Sequence, residues 1–137
     1  MDLPSDRQSM AHEVAMYQHL DGTGITPDFL GHIIDEAGLA IGFLLEYIVS
    51  ENEANQGRRQ RMQACMTVLQ RLHNDHGIAH GDTHDGNCLV RKDGSAVLID
   101  FELAEKNAPE AELARDKSIM DRCIRSLPDE DMTSQAL

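Results

Sequence analysis

Two short apolar runs around an Asp-Gly step constrain the fold of this chain more than any other feature. The runs are NCLV and AVLIDF, and RKDGS lies between them. Such a step is a strong hairpin signal, because Asp and Gly both tolerate the positive φ angles of a tight two-residue turn. Antiparallel pairing around that turn sets Val90 against Val97 and Asn87 against Asp100. The sequence therefore predicts a β-hairpin with two polar residues at its open end.

Polar groups at this open end suggest a cation site. Directly opposed residues of antiparallel strands have Cβ atoms roughly 4.5–5.5 Å apart, so the oxygens of Asn87 and Asp100 can share one cation. Magnesium suits such a site, because it takes few protein oxygens and completes its octahedron with water and phosphate. A second carboxylate, Asp82, stands on the loop that leads into the hairpin. We therefore predict a magnesium site at the hairpin mouth.

Helical spacing of apolar residues predicts three helices around this hairpin. They cover residues 9–20, residues 55–76 and a segment from Pro109 to Leu127. The runs FLGHII and LAIGFLLEYI, joined by DEAG, are typical of two antiparallel strands. A length of 137 residues suits a single domain with one core. These elements predict an α+β fold class.

The net charge and the apolar segments of the chain limit which classes of partner it can have. A formal charge of −12 at pH 7 opposes a role that neutralises nucleic-acid phosphates, so no nucleic-acid partner is predicted. The start, MDLPSDRQSM, has no apolar run of the kind found in signal peptides. The apolar residues 38–49 are too few to span a bilayer and are interrupted by Glu46. We expect no membrane partner and a cytoplasmic or nuclear protein that is not secreted.

The cysteine pattern predicts that all three side chains are free thiols. Cys65, Cys88 and Cys123 are odd in number, have apolar neighbours and show no CxxC spacing. Buried thiols in a reducing compartment explain this usage best, so no disulfide is expected.

Two motifs, HGDTHDGN and DFE, resemble elements of the protein-kinase superfamily. In that superfamily the catalytic loop reads H-R-D-x-x-x-x-N and the metal-binding segment reads D-F-G. The Gly after the first His and the second His after the Asp are closer to the aminoglycoside and choline phosphotransferase branch and to fungal kinase-like proteins. The resemblance implies one kinase-like domain over residues 1–137, mainly the helical C-lobe. Residues up to about 48 would form a remnant of the N-lobe sheet and the hinge, and residues from about 49 onward the C-lobe.

The same resemblance implies ATP and Mg²⁺ as cofactors and transfer of the γ-phosphoryl group to a hydroxyl acceptor, on a protein or a small molecule. Asp82 would be the catalytic residue, which orients the acceptor and takes its proton. Asn87 and Asp100 would bind magnesium. His80 would support the loop, and His84 would lie beside the acceptor.

The kinase resemblance also implies roles for residues outside the two motifs. The segment LLEYI resembles the hinge between kinase lobes, with Leu45 in the gatekeeper position and the backbone of Glu46 and Ile48 facing adenine. Glu13 matches the helix glutamate that normally pairs with the nucleotide-holding lysine. Asp116 would hold the catalytic loop from behind.

Departures from the family pattern support an alternative function. No Gly-rich loop and no lysine strand precede Glu13 in this sequence, and Glu102 replaces the Gly of D-F-G. The chain therefore resembles a kinase truncated in its N-terminal lobe, and the alternative is a catalytically dead kinase-like module that binds nucleotide weakly or serves as a protein-interaction surface.

Two further readings are weaker. The four histidines His73, His76, His80 and His84 invite a zinc site, yet no Cys or Glu nearby completes a tetrahedral set. The segment GDTHD matches one element of two-metal phosphoesterases, but the D-x-H and G-N-H elements that must accompany it do not occur.

Overall fold

A computed structural model describes residues 5–49 and 57–127 of the chain, with side chains from residue 8. Within these ranges the fold consists of three α-helices and two small antiparallel sheets, which confirms the predicted α+β class. In chain order the elements are α1 (Ser5–Leu20), β1 (Phe29–Ile34), β2 (Ala40–Leu45), α2 (Arg58–His76), β3 (Cys88–Val90), β4 (Ala96–Leu98) and α3 (Glu110–Arg125).

Helix α1 supplies large apolar side chains to the core. Met16, Tyr17 and Leu20 are at most 2% exposed. The helix begins four residues before Ser9, the predicted cap, and it ends at Leu20, as predicted. A turn follows in which Gly22 has φ 85°, a conformation that glycine adopts without steric cost.

Strands β1 and β2 pair with each other and with no other described strand. Phe29 lies opposite Leu45, and the register shifts on either side of the paired centre. This sheet carries apolar side chains that remain exposed to solvent, notably Leu30 (63%), Ile34 (61%) and Ile41 (56%). The predicted strand pair is confirmed, but only part of its apolar surface is buried.

Helix α2 is the longest helix and the centre of the core. Its buried face includes Met62, Val68, Leu69 and Leu72, the 3.6-residue pattern expected from the sequence. It ends at His76, and the C-cap Gly77 has φ 63°, which allows its N–H to bond to the carbonyl of His73. The predicted end is therefore confirmed. The predicted start at Asn55 lies outside the described residues.

Strands β3 and β4 form the predicted hairpin, but the predicted register is wrong. Val90 pairs with Ala96 and not with Val97. The connection contains three residues, 92–94, because the Arg91 N–H bonds to the Ser95 carbonyl at 2.8 Å. Gly94 closes this loop at φ 90°, the left-handed position of a three-residue hairpin turn. The letters Asp-Gly fit both turns, and the longer one shifts every pair by one residue.

The shift changes which residue faces Asn87. The N–H of Ile99 donates to the Asn87 carbonyl at 2.9 Å, so the cross-strand neighbour of Asn87 is Ile99. The predicted pairing of Asn87 with Asp100 is therefore wrong, and Asp100 follows one residue later.

A disulfide joins Cys65 on α2 to Cys88 on β3, with the two Cα atoms 6.1 Å apart. The expectation that all cysteines are thiols is therefore wrong, and Cys123 is the free cysteine. The two bonded residues are 23 positions apart, and only the packing of α2 against β3 brings them within disulfide range.

Helix α3 packs against α2 and buries Asp116 and Met120. Pro109 is its N-cap, so the predicted start is one residue off, and Glu110 and Glu112 occupy the first turn, where acidic groups favour the helix dipole. Within the described ranges, no helix has the length and apolar character needed to cross a bilayer.

Candidate active site

Residues 80–87, the His80 loop, connect the end of α2 to β3 through a short 3₁₀ turn at Asp85–Asn87. Just before the loop, Ala79 pairs with Glu105 through two backbone hydrogen bonds of 3.0 and 2.9 Å. This bridge holds the segment that follows β4 alongside the His80 loop.

Asp116 supports the His80 loop from beneath. One carboxylate oxygen accepts the His80 N–H at 2.6 Å and the His73 ring at 2.8 Å, and the other accepts the Gly81 N–H at 3.0 Å. Burial alone raises the pKa of Asp116, but the hydrogen bonds from His73, Gly81 and His80 outweigh it and lower that pKa below the usual value. The buried carboxylate is therefore charged, in the position that the kinase resemblance implied.

Two supporting residues were missed by sequence reasoning. The buried Thr83 hydroxyl donates to the Asp116 carbonyl at 2.7 Å. The His73 ring, one of the four histidines weighed as a zinc site, instead pairs with the Asp116 carboxylate. Neither role leaves a signal in the sequence, because both depend on α3 packing behind the loop.

His80 is fully buried and uses both ring nitrogens within the protein. Nε2 donates to the Ile99 carbonyl at 2.8 Å, and Nδ1 accepts the Asp82 N–H at 3.1 Å. Burial lowers the pKa of His80, against the opposing influence of the Ile99 carbonyl and nearby carboxylates. These partners define a neutral ring with the proton on Nε2. Because both ring nitrogens are engaged within the protein, His80 positions the loop and has no nitrogen left for a metal.

Gly81 explains why this loop reads H-G-D. Its φ is 92°, and a Cβ at this position would lie 2.7 Å from the backbone oxygen of Leu103. Any other residue would meet both a strained backbone and a steric clash with the neighbouring segment.

Asp82, His84 and Asn87 converge at the exposed side of the loop. The Asn87 amide nitrogen donates to the Asp82 carbonyl at 2.9 Å and to its carboxylate at 3.2 Å, and lies 3.3 Å from His84 Nε2. The side chains of Asp82 and His84 are 42% and 50% exposed. The structure thus brings together the predicted catalytic carboxylate, one predicted metal ligand and the histidine predicted to lie beside the acceptor.

Asp100 has φ 66°, a left-handed conformation that costs a non-glycine residue free energy. Its N–H donates to the Tyr17 hydroxyl at 2.9 Å, and the next N–H, of Phe101, donates to Glu13 at 3.2 Å. The Phe101 ring packs edge-on against both Tyr17 and His80, with ring centroids 5.4 and 4.8 Å apart. Helix α1 and the His80 loop therefore hold this strained segment between them.

Tyr17 and Glu13 form the α1 side of the site. Burial raises the pKa of Tyr17 above its usual range, so its hydroxyl stays protonated beside Glu13. Burial also raises the pKa of Glu13, and the charge on Asp100 adds to that effect, while the Phe101 N–H opposes it. Sequence reasoning missed Tyr17, since a tyrosine on an apolar helix stripe is indistinguishable from a core residue.

A cavity of about 480 Å³ opens beside Asp100. Its lining includes Glu13, Tyr17, Pro27, Phe43, Leu45, Glu46, Tyr47, Ile48, Leu89, Ile99 and Asp100. The sequence predicted that the hinge-like backbone and Asp100 would border one cavity, and this placement is confirmed. Most of these lining residues are apolar, among them Phe43 and Leu45 of β2, Leu89 of β3 and Ile99 after β4.

The Glu46 side chain is engaged by two neighbouring groups of the protein. Its carboxylate accepts the Arg91 guanidinium at 3.0 Å and the Asp28 N–H at 3.1 Å. The hydrogen bond from Asp28, together with Arg91, lowers the pKa of Glu46. The side chain therefore ties the hinge-like segment to Arg91, the residue that follows β3.

The four histidines suggested for zinc do not converge. His73 and His80 are engaged as described, and His76 packs edge-on against His19 with centroids 6.1 Å apart. Within residues 5–49 and 57–127, no three His, Cys, Asp or Glu side chains form a metal-binding group. An Asn–Asp magnesium pair, completed by water and phosphate, does not require such a group.

Residues 44–116 match the phosphotransferase enzyme family (APH), and this match covers more than half of the chain. The chain belongs to this family. It is also similar to the serine/threonine-protein kinase rio2 of Schizosaccharomyces pombe, with 35% identity over 63 residues. That alignment covers 45% of this chain and 17% of the yeast kinase. Together these findings identify a member of the protein-kinase-like superfamily.

The family match encloses the predicted site, with one exception. It runs from the last strand residues of β2 to Asp116 and so includes the hinge-like segment, the His80 loop and Asp100. Glu13 lies outside it, and its place at the site follows from its hydrogen bond to Phe101.

Proposed function

We propose that this phosphotransferase-family chain uses ATP and Mg²⁺ to transfer the γ-phosphoryl group to a hydroxyl acceptor, on a protein or a small molecule. The observation that carries the proposal is the single cavity shared by the hinge-like backbone and Asp100. Such a cavity can hold an apolar base at one end and a magnesium-bound phosphate chain at the other.

The hinge-like end suits adenine. The Glu46 N–H is already bonded to the Asp28 carbonyl at 2.8 Å. Among residues 5–49 and 57–127, no hydrogen bond engages the Glu46 carbonyl or the Ile48 N–H. An acceptor and a donor two residues apart therefore remain for the edge of a base, while Phe43 and Leu45 would contact its faces.

The opposite end suits the magnesium ion. Asp100 borders the cavity with a carboxylate, and its strained backbone is held by Tyr17. The Asn87 amide nitrogen is committed to Asp82, which leaves its oxygen as the group for a cation. These two oxygens would bind Mg²⁺, which neutralises phosphate charge when bound.

Asp82 is proposed to orient the acceptor hydroxyl and to take its proton. Its carboxylate is partly exposed, so an acceptor can approach it from solvent. The Asn87 amide and the His80 ring fix the loop around it. A positioned base of this kind contributes typically about 10²–10⁴-fold to rate.

A second candidate is a catalytically dead kinase-like module that binds nucleotide weakly or serves as an interaction surface. One observation favours it: no lysine or arginine is among the described residues that line the cavity. The phosphate charge would then be balanced by magnesium alone. Glu13, which matches the glutamate that pairs with a lysine in kinases, receives the Phe101 N–H here.

Titration of a non-hydrolysable ATP analogue with Mg²⁺ tests the proposal. The proteins to compare are the parent, Asp100→Asn, Asp82→Asn and Asp121→Asn. Asp121 is the matched control, since it is a half-exposed carboxylate on α3 paired with Arg125. We expect Asp100→Asn to lose affinity and the other two to bind as the parent does.

Turnover measurements then separate transfer from binding. We expect Asp82→Asn to lose phosphoryl transfer at unchanged affinity, because its partner is the acceptor and not the nucleotide. Equal affinity in the parent and Asp100→Asn would refute the magnesium role. Magnesium-dependent binding without turnover in the parent would establish the second candidate.

A further inference from the structure

The Cys65–Cys88 disulfide closes a covalent ring around one part of the candidate active site, the His80 loop. The ring runs from the middle of α2 to the first residue of β3, and it contains the complete His80 loop. Neither the family match nor the proposed phosphoryl transfer assigns any role to these cysteines.

Both cysteines of this bond are largely buried, 2% and 8% exposed, and they line one small polar cavity. This cavity has a volume of about 100 Å³ and is lined by Arg58, Arg61, Met62, Cys65, Asp85, Cys88 and Val90. Both bonded cysteines therefore border the same cavity. Thiol–disulfide exchange needs access to a sulfur atom, and the charged groups beside this cavity distinguish it from a bond sealed by apolar side chains alone.

The disulfide is also adjacent to the residues proposed to bind magnesium and acceptor. Cys88 directly follows Asn87, whose side chain bonds to Asp82 and whose carbonyl accepts the Ile99 N–H. Asp85, in the same 3₁₀ turn as Asn87, lines the cavity beside the disulfide. A change at the sulfur atoms is thus one residue away from the hydrogen bonds that order the loop.

We propose that Cys65 and Cys88 form a reversible thiol–disulfide switch, reduced by a low-molecular-weight thiol that enters this cavity, and that reduction loosens the His80 loop. The effect on nucleotide binding rests on the proposed function. The reduction and the loosening do not, because they follow from the ring and the cavity alone.

The reaction balances with two equivalents of the thiol. A thiolate attacks one sulfur of the pair, forming a mixed disulfide and releasing the other cysteine, which takes up a proton. A second thiol attacks the mixed disulfide, releases the remaining cysteine and leaves as a disulfide of the reductant. Two electrons pass from the two thiols to the protein.

The test uses the folded chain with Cys123→Ser, so that two cysteines remain. The protein is equilibrated with reduced and oxidised glutathione in different ratios, without denaturant, and then alkylated and weighed to count free thiols. We expect complete, reversible conversion between zero and two thiols. Failure of millimolar glutathione to reduce the native protein would overturn the proposal, since the bond would then be a fixed cross-link.

Amide hydrogen exchange reports the effect on the loop. We expect the amides of Asn87 and Ile99 to exchange at least about tenfold faster in the reduced protein, with α3 unchanged. Cys65→Ser/Cys88→Ser should reproduce the reduced state, and the reduced parent serves the same purpose if that variant does not fold. Reduction with unchanged exchange in the loop would also overturn the proposal.

Nucleotide titration in both redox states links the switch to the site. We expect the oxidised protein to bind the magnesium–ATP analogue more tightly, by about threefold or more, because its loop is ordered in advance. Equal affinity in both states would overturn the link. If neither state binds nucleotide, the proposed function fails, while the thiol counts and the exchange rates still decide the switch.

Discussion

The His80 loop and the β1–β2 sheet both border the candidate active site, but they are stabilised in different ways. The loop is held by the buried carboxylate of Asp116 and buries its own residues His80 and Thr83. The sheet has two strands, a bulged register and exposed apolar side chains. The difference implies that this chain determines the geometry of its proposed acceptor side internally, while the proposed nucleotide side is held by fewer contacts.

Loss of Asp116 should have the largest effect on the loop. Asp116→Ala leaves three donors, from His73, His80 and Gly81, without their buried acceptor. We expect the free energy of unfolding to fall by about 3–5 kcal/mol, measured by denaturant titration. Asp121→Ala is the matched control on the same helix. Its half-exposed pair with Arg125 should be worth about 0.3–0.5 kcal/mol, so equal losses in the two variants would contradict the comparison.

A methyl group at Gly81 should destabilise the loop through a steric clash. Gly81→Ala introduces a Cβ 2.7 Å from the Leu103 oxygen at a left-handed backbone angle. Gly94→Ala has nearly the same angle but no atom within 4 Å, so it isolates the backbone cost. We expect about 1 kcal/mol of destabilisation at Gly94 and clearly more, about 2–4 kcal/mol, at Gly81. Similar thermal midpoints for the two variants would show that Leu103 moves aside.

Tyr17 tests the connection between the two regions. Tyr17→Phe keeps the ring contacts with Phe101 and removes the acceptor of the Asp100 N–H. We expect a loss of about 1–2 kcal/mol in the free energy of unfolding, together with weaker magnesium-dependent binding of the ATP analogue. A lower free energy of unfolding with unchanged magnesium-dependent binding would show that Tyr17 contributes to stability alone.

The smallest effect is expected on the sheet side. Arg91→Gln removes the ion pair with Glu46, whose two side chains are 29% and 32% exposed. We expect a change of about 0.2–1 kcal/mol in the free energy of unfolding, and less at high salt. A cost as large as that of Asp116→Ala would show that the hinge-like segment is as firmly determined as the loop.

The same contrast governs what the sequence could predict. The hairpin, the end of α2 and the position of Asp116 behind the loop follow from periodicity and from the kinase-like motifs. The register of the hairpin could not be predicted, because an Asp-Gly step occurs in two-residue and three-residue turns alike. The Arg91–Ser95 hydrogen bond distinguishes the two turns, and it is visible only in the structure.

Long-range contacts account for the other failures. The cysteine spacing gave no sign of the Cys65–Cys88 bond, because α2 and β3 meet only in the folded chain. Tyr17 has the spacing of a core residue and is one, and its hydroxyl acquires a second role from Asp100, which is 83 residues away. A single sequence records such polar pairings poorly, since either partner also has an ordinary local explanation.

The exposed apolar side chains of the β1–β2 sheet have a consequence for the colloidal behaviour of the protein. Leu30, Ile34 and Ile41 offer self-association a favourable surface. At pH 7 the formal charge of −12 opposes this association through mutual repulsion between molecules. Near the isoelectric point of about 4.8, or at high ionic strength, that repulsion disappears. The second virial coefficient should therefore change from positive toward negative as salt is added, and substitution of Ile41 by Thr should delay that change.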